Sequence, residues 1–303
     1  MFEKALIGKN NIWKYILVLF LVFVCTQVIS GVLLFSTLGN EGIVALSNGN
    51  YEFLYAQGFS KNLIYALFLS PFVGGFFAFL GLIKWIQKKS FTSISTGASK
   101  FRWKRFMFGF DIWAVLWLCV FGLGLLAAPE DYTFQFDLQK FAILALISIL
   151  FLPLQTGLEE LLFRGYLLQG FQLLTKSKIA SVLITSVLFA LLHLANPEVE
   201  AFGFWLSMGT YLSLGLLFGL LTLKDDGLEL AWGIHCANNL LVALLVSHKD
   251  AAFQTDALTL ATNVEPVEGL ISIVIMAIIT YFACHKLLGW NKKKEAKETL
   301  AEV

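Results

Sequence analysis

The chain has 303 residues, 58% of them hydrophobic and 14% charged, with a formal net charge of +1. Soluble domains carry about 25% charged residues and cannot hide this much apolar surface in one core, so an ordinary soluble protein is excluded, and the charge balance gives no footprint for a nucleic-acid partner. The apolar stretches run about 20 residues without alternation, the length of a membrane-crossing helix and the wrong pattern for a barrel strand.

The class is therefore an all-α polytopic membrane protein, read as a single integral membrane domain over residues 1–303. Eight spans are expected, at about 14–37, 63–87, 106–128, 139–174, 179–196, 203–223, 229–248 and 269–289. The first apolar run is too long for a signal-peptide core and is expected to be retained. Lys4, Lys9 and Lys14 precede it. The first loop is mostly acidic, whereas the second carries Lys84, Lys88, Lys89, Lys100, Arg102, Lys104 and Arg105. The third has Glu130, Asp131 and Asp137; the turn after the fourth span has Lys176 and Lys178; the fifth loop has Glu198 and Glu200. The sixth is mixed, the seventh acidic, and the tail ends with Lys292, Lys293, Lys294 and Lys297. By the positive-inside rule this alternation puts both termini in the cytoplasm, as an even number of spans requires.

The fourth element is too long for a simple span. Residues 141–174 would make about 50 Å of helix against a hydrocarbon core of roughly 30 Å. Pro153 lies in its middle and removes one backbone hydrogen bond, so a break or kink is expected there, with the part from Thr156 onward buried in protein. Within that part, Glu159, Glu160 and Arg164 interrupt the apolar run. Ionised groups inside a membrane helix cost roughly 2.5–3.5 kcal/mol each by insertion scales and are a functional hypothesis by default. Glu160 and Arg164 are four apart in the favourable order and can neutralise each other. Glu159 points about 100° away from Glu160 and has no cation on its own helix. Apolar surroundings disfavour its charged form, which suits a general base or acid. A buried ion pair that only fixes packing would account for Glu160 and Arg164, and poorly for Glu159.

Two further polar faces follow. His193 lies near the end of the fifth span, with Phe189 one turn before it. Taken alone it reads as a hydrogen-bonded core residue. In the seventh span His235 and Asn239 are four apart and share a face, so two donors can point at one spot, as an oxyanion needs. Interhelical glue is the plainer reading of that pair. Asn238 is expected to point elsewhere, and His248 and His285 to be structural. Together the three faces make a plausible hydrolytic site: Glu159 activating water, His193 orienting it, and His235 with Asn239 stabilising the oxyanion. No serine stands in a Gly-x-Ser-x-Gly setting. Glu plus two His could hold zinc, but the His-Glu-x-x-His spacing is missing, so no cofactor is expected. Cys25, Cys119, Cys236 and Cys284 all fall in apolar spans and read as small buried hydrophobes. Gly215 and Gly219 suit close helix packing.

The ordered set Glu159-Glu160-Leu161-Leu162-Phe163-Arg164, then Phe189 to His193, then His235 to Asn239 resembles the CAAX prenyl protease and bacteriocin-processing (CPBP, or Abi) family, over a core of about 141–246. The resemblance implies an eight-helix intramembrane protease and glutamate-dependent peptide hydrolysis without a covalent intermediate. It implies Glu159 as base, Glu160 and Arg164 as support, His193 holding the water, and His235 with Asn239 as the oxyanion hole. The implied partners are membrane lipid and a peptide or protein substrate, with lipidated ones, cleaved near the C-terminus, among the possibilities. The short loops and the absence of any Asn-x-Ser/Thr sequon suit a bacterial cell membrane as the expected location. Two rival readings are a non-catalytic scaffold or immunity protein of the same fold, and a transporter using the Glu/His cluster.

Overall fold

Inside hydrocarbon a backbone amide has no water to bond, so apolar segments close their hydrogen bonds internally as helices. The computed structural model, which describes residues 1 and 3–290, follows this rule through nearly the whole chain. The helices are α1 (Ile12–Ser47), α2 (Tyr51–Ala56), α3 (Lys61–Leu82, extended by a π-helical turn Ile83–Gln87), α4 (Phe91–Ser95) and α5 (Trp103–Ala127). They continue as α6 (Leu138–Glu160), a π-helical segment Leu161–Leu167, α7 (Leu168–Thr175), α8 (Lys178–Leu192) and α9 (Pro197–Phe202). The last are α10 (Phe204–Asp225), α11 (Glu229–Leu245) and α12 (Pro266–Leu287). The tail lysines Lys292, Lys293, Lys294 and Lys297 lie outside the described residues.

Among the described residues, six helices are long and apolar enough to cross a membrane. The fifth and seventh expected spans are helices of only 15 and 17 residues. At 1.5 Å per residue these rise about 22 and 25 Å, less than the roughly 30 Å hydrocarbon core. The apolar sequence runs on past both, but the backbone turns away. Asn196, held extended before Pro197, cannot continue α8. Val246 is extended and opens β2 (Val246–Ser247). That strand runs parallel to β3 (Thr259–Ala261), which pairs antiparallel with β1 (Tyr132–Phe134). The small sheet ties the loop after α5 to the segment between α11 and α12.

The break expected at Pro153 does not occur. Helix α6 runs through it, because a break in apolar surroundings would strand several backbone groups, whereas a helical proline strands one. The irregularity comes eight residues later, in the π-helical segment directly after Glu160. From Gln155 to Gln169 the element is mostly buried in protein.

Glycines let the central helices approach. Gly109 on α5 lies against the backbone of Leu230, and Gly233 on α11 against that of Phe106. Gly215 and Gly219 on α10 rest on Ser186 and Val182 of α8. Gly157 faces the Trp232 ring with no room for a Cβ, and Trp232 Nε1 donates to Pro153 O at 3.0 Å. Gly157→Ala removes a helix-interior glycine, ordinarily a gain of about 1 kcal/mol, yet here overpacking is expected to win and cost about 1–3 kcal/mol. A lowered thermal midpoint in detergent is the result expected; a raised one would show that Trp232 moves freely.

At the basic end, Arg102 grips Glu229 with Nε to Oε1 at 2.8 Å and Nη2 to Oε2 at 2.6 Å, and donates to Asp225 O at 3.0 Å. Trp290 Nε1 donates to Asp225 Oδ1, and the Met1 amine to Asp226 Oδ1. Both ends of the described chain therefore sit on one turn, on one side of the bundle. Cys236 and Cys284 are buried and Cys25 half-buried, but Cys119, expected inside, is exposed on the outward face of α5.

Candidate active site

Glu159 and Glu160 end α6, directly before the wider π-helical segment that carries Arg164. Glu160 and Arg164 are both wholly buried. Arg164 Nη1 donates to Glu160 Oε1 at 3.0 Å. The guanidinium is closed in by aromatic rings, with its carbon 4.2 Å from the Phe189 centroid, 5.0 Å from Phe218 and 5.7 Å from Phe163. A cation in an apolar setting is stabilised by such ring faces, so the cage and the carboxylate together replace the water Arg164 has lost.

His235 on α11 joins the two glutamates. Its Nδ1 lies 2.9 Å from Glu160 Oε1, and its Nε2 lies 3.6 Å from Glu159 Oε2. A carboxylate can only accept, so Nδ1 carries a proton. Phe218 stacks on the imidazole at 5.1 Å, and the ring is held in the plane that makes both approaches.

Glu159 is fixed on its other oxygen. Gln155, one turn earlier on α6, donates Nε2 to Glu159 Oε1 at 2.5 Å. Gln155 Oε1 accepts from Asn239 Nδ2 at 3.0 Å. Asn239 Oδ1 accepts from Asn238 Nδ2 at 3.2 Å, and Asn238 Oδ1 from Trp113 Nε1 at 3.2 Å. Asn239 Nδ2 also lies 3.5 Å from His235 Nε2. Glu159 Oε2 is buried and accepts no hydrogen bond from the described residues.

His193 caps α8. Its Nδ1 donates to Phe189 O at 2.8 Å, which leaves Nε2 with its lone pair in the neutral ring. Tyr211 of α10 stacks on it at 4.1 Å, and the Tyr211 hydroxyl accepts from Asn196 Nδ2 at 2.9 Å.

All six residues singled out in the sequence thus lie in one cluster between α6, α8, α10 and α11, with Glu160, Arg164 and His235 buried and Glu159, His193 and Asn239 half-buried. Asn238 turns away from His235, toward Trp113. His248 and His285 sit apart, against Phe202 and Trp290. Sequence reading missed Gln155, Trp113, Tyr211 and Phe218. Gln155 had a signal, since it stands four residues before Glu159 on the same face. The other three reach the cluster across helices and had none. Among the described residues no three His, Cys, Asp or Glu side chains are arranged to hold a metal ion.

The long apolar helices define an integral membrane protein, and within its bundle a carboxylate with one unengaged oxygen stands near histidine and carboxamide side chains. The sequence model of the type II CAAX prenyl endopeptidase Rce1-like family matches residues 138–241, which contain the whole cluster. Over 304 residues, 98% of either chain, the sequence is 30% identical to "Uncharacterized protein YyaK" of Bacillus subtilis (strain 168). No solved structure matches. The chain belongs to the CPBP family of CAAX-type intramembrane proteases.

Proposed function

We propose that this protein hydrolyses a peptide bond within the membrane with water activated by Glu159, on membrane-held peptides or protein segments. The observation that carries the reading is Glu159 itself: Oε1 is tied to Gln155, while Oε2 accepts nothing from the described residues and faces His235 Nε2 at 3.6 Å. A carboxylate oxygen and the His193 Nε2 lone pair can accept the two hydrogens of one water, leaving an oxygen lone pair for attack. The scissile carbonyl oxygen would lie between His235 Nε2 and Asn239 Nδ2, which are 3.5 Å apart. His235 donates there as an imidazolium, and then Glu159, Glu160, Arg164 and His235 sum to zero charge.

The water oxygen bonds to the carbonyl carbon, and one of its protons passes to Glu159. The carbonyl oxygen becomes an oxyanion held by His235 and Asn239. Glu159 then returns the proton to the amine nitrogen, the oxyanion re-forms the carbonyl as the C–N bond breaks, and a carboxylic acid and an amine leave. Glu160 and Arg164 hold His235 and balance its charge. No metal or cofactor enters these steps. A site enclosed by apolar helices selects substrates that already partition into the bilayer, and the family description adds prenylated C-terminal peptides to that class. The basic loops support cytoplasmic termini, and the Bacillus relative supports a bacterial cell membrane.

The test is cleavage of farnesylated and unmodified C-terminal peptides by protein in proteoliposomes, with and without chelator. Activity is expected to survive the chelator unchanged. Loss in chelator with recovery on added zinc would replace the glutamate reading by a metalloprotease.

A further inference from the structure

One side chain touches both halves of the proposed machinery. Gln155 donates to Glu159, the base, and accepts from Asn239, an oxyanion donor. Which end of an amide donates is ordinarily an assignment, but here the two ends of a hydrogen-bond chain decide it. Trp113 Nε1 can only donate, and the Glu159 carboxylate can only accept. Between them Asn238, Asn239 and Gln155 each accept from the residue before and donate to the next. Flipping the three amides would set a donor against the indole N–H and an oxygen against the carboxylate. The polarity of the chain, across α5, α11 and α6, is therefore unique.

We propose that Gln155 is a positioning residue that fixes the Glu159 carboxylate and aims the Asn239 amide together, through a relay anchored at Trp113; this rests on Glu159 being the base. Its bond to Oε1 stops the carboxylate from rotating and leaves Oε2 as the oxygen that meets water. By filling Asn239 Oδ1, Asn238 ensures that only the Asn239 nitrogen faces the place of the oxyanion. Gln155 sits on the same helix as the base, one turn away, so the distance between them is set by helix geometry rather than by the slower adjustment of helix packing. The cross-helix bond to Asn239 then sets the separation of base and oxyanion donor.

Two measurements test this. Infrared difference spectra between wild type and Glu159→Gln isolate the carboxylate stretch of Glu159, with no substrate needed. In Gln155→Leu, folded as judged by its thermal midpoint, that band is expected to shift, because a short charge-assisted hydrogen bond is lost. In the peptide-cleavage assay Gln155→Leu is expected to lower kcat by about 10²-fold, the cost of slight misplacement, with KM nearly unchanged, because Gln155 touches the base and not the peptide. Asn238→Leu should give a smaller kcat loss that disappears in the Gln155→Leu background, as residues acting through one chain are non-additive. An unmoved band, a loss confined to KM, or additive effects of the two variants would each overturn the inference. Full activity of Glu159→Gln would overturn the base assignment and this inference with it; an inactive Glu159→Gln with an unmoved band would overturn this inference alone.

Discussion

Glu159→Gln is expected to lower the cleavage rate by about 10³-fold, in the middle of the range for loss of a general base, which is about 4 kcal/mol of barrier at 1.36 kcal/mol per tenfold. Glutamine fills the same volume and keeps an oxygen that can accept from Gln155, so the hydrogen-bonded chain can survive. It cannot take a proton from water. Folding should be unharmed and the thermal midpoint close to that of wild type, since the exchange keeps the volume and loses only the long 3.6 Å contact to His235 Nε2. Glu159→Asp keeps the charge but withdraws it by one methylene, and should fall between the two. The decisive comparison is the rate with the farnesylated peptide in matched proteoliposomes, together with thermal midpoints. A Glu159→Gln enzyme that cleaves at the wild-type rate would remove Glu159 from the chemistry and leave the cluster as packing.

The second large effect is on stability. Arg164 is wholly buried, and among the described residues the carboxylate it pairs with is Glu160, at 3.0 Å. Replacing one member of a buried ion pair leaves the other uncompensated and costs about 3–5 kcal/mol. Arg164→Met is expected to reach that range, with up to about 2 kcal/mol of it from the lost ring contacts of Phe163, Phe189 and Phe218. The double variant Arg164→Met with Glu160→Gln should be more stable than the single one, because both buried charges are gone. The double variant should be inactive, since His235 then loses its carboxylate partner. Unfolding in detergent, followed by thermal midpoint, reads this order directly. A single variant as stable as wild type would mean that solvent reaches Glu160 and that the pair contributes no more than an exposed one.

Much of the cluster was legible because its signals are local. Glu160 and Arg164 meet since four residues make one helical turn, and the same spacing places His235 near Asn239 on α11. The three polar faces stood out because hydrocarbon makes ionisable residues costly. The position of Pro153 was legible too, but its consequence was misjudged: the missing hydrogen bond is absorbed within α6, and the widened turn falls after Glu160 instead. The lengths of α8 and α11 were overread, since hydropathy continues through Leu194 and Val246 while the backbone has already left the helix.

The contacts of Gln155, Trp113 and Tyr211 were not legible, for a different reason. A glutamine in an apolar helix has no preferred partner until another helix is packed against it. Trp113 reaches Asn238 only because Gly109 and Gly233 let α5 and α11 touch. Tyr211 stacks on His193 only because Gly215 brings α10 onto α8.

By itself the sequence determined the membrane class, the helical architecture, the family and the residues able to carry charge in the bilayer, because composition and helical period act along the chain. Only the tertiary structure decided that His235 bridges both glutamates, that one oxygen of Glu159 is tied to Gln155 and the other is not, and that an indole on α5 orients the amides between them. Those relations depend on distances between helices, and such distances are set by how glycines and rings pack together rather than by any spacing within one segment.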